Sequence, residues 1–197
     1  MASKQSLDAA YFRDVYNAND DPWDFETSAY EAQKYAATVA ALPHAHYQHA
    51  LEIGCSIGVL TKRLAERCTQ LLATDVSEKA LARARERCKD TARVTFRQSS
   101  FTANVPETDF DLILISEVAY YLSPEDWENE MEHLVSKLKA GAHLMLVHWL
   151  PDVHDYPQTG DEVHDRFAKQ MDGRMRNVFN SRAERYRIDV WESAGSE

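Results

Sequence analysis

Apolar positions along the chain fall into helical repeats and short continuous runs that take turns. Residues 6–17 read as helical. Ser28 and Glu31 form an S-x-x-E box that starts a second helix, in which Tyr35, Val39 and Leu42 repeat at helical spacing until Pro43 stops it. H-A-L-E-I-G ends a first strand, and Leu60, Leu64 and Cys68 then share one predicted helix face. L-L-A-T-D is a short strand-like run, followed by a helix that Ser77 caps and that carries Leu81, Ala84 and Cys88. V-T-F-R-Q is a third strand. F-D-L-I-L-I-S is apolar without a break, as expected of a strand covered on both faces. Ser123-Pro124-Glu125-Asp126 combines a cap, a first-turn proline and acids at the positive end of a helix dipole. Trp127, Met131, Leu134 and Leu138 form the buried stripe of that helix, and Ala140-Gly141 ends it. H-L-M-L-V-H-W is a fifth strand and Asp161 to Met171 a helix. Residues 175–182 and 185–193 read as a hairpin in which R-Y-R-I-D-V-W alternates at period two.

This order predicts an α/β fold, Rossmann-like, with a mostly parallel seven-stranded sheet, an antiparallel C-terminal hairpin strand and an N-terminal helical lid. One domain is expected over residues 1–197, with the lid at 1–42 and the core at 43–197. In such sheets ligands bind beyond the carboxyl ends of the strands.

Composition narrows the choice. Asp and Glu number 32 against 22 Lys and Arg, a formal charge of -10, so the surface repels phosphate backbones and nucleic acid is not an expected partner. The opening residues lack the apolar run of a signal peptide and no stretch approaches 18 apolar residues, so a cytoplasmic protein without membrane insertion is expected. No obligate protein partner is indicated. The three cysteines form no C-x-x-C pair and read as reduced core residues. His44, His46 and His49 stand in a polar loop without a nearby acid pair, so no metal site is expected.

The stretch A-L-E-I-G-C-S-I-G-V-L carries the first chemistry. Gly54 permits a sharp turn and the approach of a ligand to bare backbone, and Gly58 permits close helix-strand contact. A dinucleotide pyrophosphate needs a middle glycine where Ser56 stands, and Glu52 at the strand end would repel it. The same carboxylate suits a ligand with an ammonium group and no phosphate, which S-adenosyl-L-methionine is. Asp75, 21 residues after Gly54 and followed by Val76, matches the acid that accepts hydrogen bonds from ribose hydroxyls. Ser56, Glu52 and the terminal hairpin together disfavour a NAD-dependent oxidoreductase.

E-I-G-C-S-I-G, the T-D after the second strand, F-D-L-I-L-I-S-E-V and L-x-A-G-x-x-L resemble the class I S-adenosyl-L-methionine-dependent methyltransferases. More narrowly, D-P-W-D-F-E-T-S-A-Y-E-A-Q-K-Y, S-E-V-A-Y-Y-L, L-V-H-W and Y-P-Q-T-G-D-E-V-H resemble the nodulation protein S family over roughly residues 21–164. That resemblance implies an N-methyltransferase acting on the free amine at the non-reducing terminal glucosamine of a deacetylated chitooligosaccharide, in nodulation-factor biosynthesis. Related enzymes often carry an Asp after the third strand to read the adenine amine. Here Gln98-Ser99-Ser100-Phe101 stands there, leaving Ser99 or Ser100 to hydrogen-bond adenine and Phe101 to pack on it.

Methyl transfer from a sulfonium to an amine needs positioning and control of the amine's proton. Ser116 is placed at the cofactor by its position after the fourth strand. Glu117 is a candidate acceptor of the amine's hydrogen, with Tyr120 beside it. His148 is a candidate base and Trp149 a sugar platform. Trp23, Tyr30, Lys34 and Tyr35 of the lid are candidate contacts with cofactor or substrate, and Thr159, Asp161 and His164 candidate liners of the acceptor site. Two alternatives stay open: a methyltransferase of the same fold acting on another small molecule's amine or oxygen, and a non-enzymatic protein that binds S-adenosyl-L-methionine.

Overall fold

The computed structural model describes residues 5–106 and 109–194. It divides into two compact units, one of residues Asp8–Pro106 and the other of residues 5–7 with 109–194. Both N-terminal helices belong to the first unit.

In the first unit α1 (Ala9–Ala18) and α2 (Ala29–Ala40) precede β1 (Tyr47–Ile53), α3 (Val59–Leu64), β2 (Cys68–Asp75), α4 (Glu78–Arg87) and β3 (Val94–Gln98). Asp8 caps α1 by accepting from the Ala10 and Tyr11 amides, and Ser28 caps α2 by accepting from Glu31 N–H. Both β1–β2 and β2–β3 pair in parallel. Gly58 adopts φ 79° as the cap of α3, and a Cβ there would stand 2.9 Å from that of Ala84. The glycine therefore lets α3 and α4 touch.

The second unit holds β4 (Phe110–Ser116), α5 (Pro124–Ser136), β5 (Leu138–Trp149), α6 (Gly160–Gln170), β6 (Met175–Arg182) and β7 (Tyr186–Ser193). β4 and β5 are parallel; β7 runs antiparallel to β5, and β6 antiparallel to β7. The strand order is β3-β2-β1-β4-β5-β7-β6, the seven-stranded, mostly parallel sheet expected.

Two boundaries differ from the pattern. Cys68 opens β2, because a 3-10 turn (Ala65–Arg67) ends the preceding helix one turn earlier. Leu138 to Gly141 belong to β5, not to the end of α5: Leu138 pairs with Phe110 and the register then slips to Leu112–His143. Gly141, at φ 72°, absorbs that irregularity.

Candidate functional site

The glycine turn of the first unit is held under strain by its neighbours. Ser56 has φ 48°, a left-handed conformation that favours glycine. Its N–H donates to Asp75 Oδ2 at 2.9 Å and its hydroxyl meets Tyr16 Oη at 2.6 Å. These two bonds hold a serine in that left-handed conformation. Asp75 also accepts from Ser77 N–H through Oδ1 at 2.8 Å. Trp23, half-buried, packs edge-on against Tyr16 and stacks on Phe25, while Tyr16 itself is buried against Ile57 and Ala80. The N-terminal segment thus closes over the turn. Within it Tyr30 lies half-buried, with the Lys34 ammonium 5.4 Å from its ring centre.

Glu52 and Asp75 are both buried. Burial pushes the Glu52 carboxyl up to about 7, with the Asp75 charge adding to the rise. Glu52 Oε2 and Thr61 Oγ1 are buried without a hydrogen bond of good geometry, although the hydroxyl lies close enough to offset part of that rise. Burial likewise lifts Asp75 to about 6 against three backbone N–H groups. A buried acid with an unused oxygen fits a cation or hydroxyl donor better than a phosphate. This donor set suits S-adenosyl-L-methionine: Glu52 toward its ammonium, Asp75 toward its ribose, and Gly54, at φ 79°, giving access to backbone.

After β3 the loop is strained again at Phe101, with φ 49°. The Ser99 hydroxyl donates to Phe101 O at 2.9 Å and accepts from Asn104 N–H at 3.1 Å. Ser99 therefore shapes the loop, whereas Ser100 is exposed. The Val76 carbonyl accepts from Gln98 Nε2 at 2.9 Å, tying the ends of β2 and β3 together.

In the second unit Ser116 is buried at the end of β4 and Glu117 follows with φ 61°. Glu117 Oε2 accepts from Tyr120 Oη at 2.7 Å and from Trp149 N–H at 2.8 Å. Tyr120 is buried, and its hydroxyl is pushed well above the usual range by burial and by the Glu117 charge, so it acts as a donor. Its ring stacks on Tyr156 at 5.0 Å. Trp149 is half-buried beside this group.

Two expectations change here. His148 is fully buried, with Nε2 accepting from Ala119 N–H at 3.2 Å and Nδ1 3.1 Å from His164 Nε2. Both ring nitrogens are engaged inside the protein, so it does not stand as a general base. Asp161 is held by Arg182 and Arg187, and that contact keeps its carboxyl below the usual range. It anchors α6 to the hairpin, so its carboxylate is already engaged by two arginines.

Asp189 went unread in the sequence, while Gly160 and Tyr156 lie in the segment Tyr156 to His164 that was expected to line the acceptor cleft. Asp189 is buried and accepts from His164 Nδ1 at 2.8 Å and Arg187 Nη2 at 2.9 Å. Burial alone would raise it, but those two partners outweigh burial and hold it low. An acid inside the apolar run I-D-V was the available signal. Gly160 abuts strand β5: a Cβ there would stand 2.2 Å from Trp149 O. Tyr156 stacks on Tyr120 from a loop that no periodicity marks.

Comparison with known proteins agrees. The family described as Nodulation protein S (NodS) matches residues 10–148. Nodulation protein S of Sinorhizobium fredii is 32% identical over 132 residues, covering 65% of this chain and 60% of that protein. Its counterpart in Bradyrhizobium diazoefficiens is 36% identical over 106 residues, covering 53% of this chain and 51% of that protein. The matched chain thus spans only about half to three fifths of these relatives. N-methyltransferase NodS from Bradyrhizobium japonicum WM9, solved in complex with S-adenosyl-L-homocysteine, is 22% identical. It superposes over 95% of this chain and 99% of its own with a TM-score of 0.82, which establishes a shared class I methyltransferase fold.

Proposed function

The chain belongs to the nodulation protein S family, and from that premise we propose that it is an S-adenosyl-L-methionine-dependent N-methyltransferase whose acceptor is the free amine of the non-reducing terminal glucosamine of a deacetylated chitooligosaccharide. The cofactor supplies an electrophilic methyl group with a good leaving group. What remains for the protein is to bind, orient and keep the amine unprotonated.

Glu52, Gly54 and Asp75 take the cofactor, with Ser100 and Phe101 at its adenine and Tyr30 and Val76 alongside. Glu117 takes the acceptor amine. The observation that carries the reading is this carboxylate. It is forced into left-handed backbone at a strand end and fixed through one oxygen by Tyr120 and Trp149. Such strain persists where the surroundings over-determine it and clusters at functional sites. A fixed carboxylate orients an N–H donor and draws its proton as the new C–N bond forms. Half-buried Trp149, on the same hydrogen-bonded unit, offers a ring to the sugar face.

The test is methyl transfer from labelled S-adenosyl-L-methionine to deacetylated and to fully acetylated chitooligosaccharides. Label on the deacetylated oligosaccharide alone is expected. Equal labelling of both would exclude the free amine as the acceptor.

A further inference from the structure

Asp189, His164 and His148 lie in a row, all at most 1% exposed. Their hydrogen bonds have only one consistent direction. A backbone N–H can only donate, so the bond from Ala119 requires a lone pair on His148 Nε2. The ring's proton must then sit on Nδ1 and be donated to His164 Nε2. That leaves the His164 proton on Nδ1, donated to the Asp189 carboxylate. A fixed acceptor at one end and a fixed donor at the other determine both tautomers.

What the row holds is the turn that carries Glu117 and Tyr120. Ala119 begins the 3-10 turn Ala119–Tyr121. The end of β5 grips this turn at three successive residues. Val147 O accepts from Glu117 N–H at 2.9 Å, His148 Nε2 accepts from Ala119 N–H, and Trp149 N–H donates to Glu117 Oε2. The motif T-G-D-E-V-H supplies the support. Thr159 and Glu162 form a reciprocal capping box that starts α6, and Gly160 lets that helix lie against the His148–Trp149 backbone. His164, one turn further along, then reaches His148.

We propose that Asp189, His164 and His148 form a tautomer-locking chain of positioning residues that holds the Glu117–Tyr120 turn against the end of β5. The proposal rests on the reading of Glu117 as the carboxylate that meets the acceptor amine. Were the carboxylate replaced by an amide presenting its N–H to His164, both tautomers would invert. His148 Nε2–H would then face Ala119 N–H, donor against donor, and the turn carrying Tyr120 would shift.

Long-range nitrogen-proton correlation on protein labelled with 15N-histidine tests the chain in the wild type. His148 and His164 are both expected neutral at pH 7, each with its proton on Nδ1. An Nε2–H tautomer or a charged ring at either position would overturn the proposal. Asp189→Asn is expected to lower kcat on the deacetylated oligosaccharide at least tenfold while the Kd for S-adenosyl-L-homocysteine stays within twofold. An unchanged kcat, or a parallel loss of that affinity, would refute a positioning role. If the wild type methylates no amine, the functional reading fails, and the tautomers still decide the chain.

Discussion

Buried acids in the two units face opposite ways. In residues Asp8–Pro106, Glu52 and Asp75 are lifted to about 7 and about 6, and what offsets their burial is a hydroxyl and backbone N–H groups. In residues 109–194, Asp189 and Asp161 are pulled down, because histidine and arginine side chains stand against them. All four are carboxylic acids and three of the four are buried, so the difference lies in the partner. An acid held near neutrality keeps affinity in reserve for a cation from outside. An acid already paired within the chain is scaffold. On the proposed function the acids of the first unit are held for a ligand, while Asp189 and Asp161 of the second are committed to partners within the chain.

The largest effect should come from removing a scaffold acid. Asp189→Ala leaves His164 and Arg187 facing an unfilled buried position and is expected to destabilise the protein by roughly 3–5 kcal/mol in urea unfolding. A midpoint equal to the wild type would break the contrast at its stronger end. Next comes pH. Folded Glu52 keeps its proton up to about 7, whereas the unfolded side chain ionises near 4.5. The folded state thus binds the extra proton, and its stabilising effect is full below pH 4.5 and lost as pH rises through 7. Unliganded protein should lose roughly 3 kcal/mol between pH 4.5 and 8 from this group, and Glu52→Gln should flatten that part of the profile. Asp75→Ala should weaken S-adenosyl-L-homocysteine binding ten- to a hundredfold by calorimetry, about 1.4–2.8 kcal/mol, and destabilise the protein at pH 8 by less than Asp189→Ala, because only backbone N–H groups lose their acceptor. If it destabilised the protein as Asp189→Ala does, the two acids would belong to one class. The smallest effect is expected at the surface. Arg174→Ala breaks the pair with Glu132, both about half exposed, and should change stability by less than about 1 kcal/mol.

Much of the architecture could be read from spacing, because helix caps and apolar periods are local. Ser28, Ser77 and Ser123 each accept the backbone bond that starts their helix. The acids beside the glycine turn were also legible, since a turn between a strand and a helix places Glu52 and Asp75 toward strand ends whatever the rest of the chain does. The misread segment, Leu138 to Gly141, failed because its strand character comes from pairing with Phe110, which lies outside any local window.

The state of each polar group was not legible. His148 read as a free base, yet its partners are 29 and 16 residues away in sequence. Asp161 read as open to substrate, yet Arg182 and Arg187 reach it from the hairpin. Asp189 went unread, although it anchors a histidine 25 residues before it. The sequence by itself determined where the elements lie and which acids end the strands, because propensity, capping and periodicity act over a few residues. Only the tertiary structure decided which acids are paired, which histidine protons are fixed and which backbone is strained. Charge and tautomer follow from burial and from partners that only folding brings within hydrogen-bond reach.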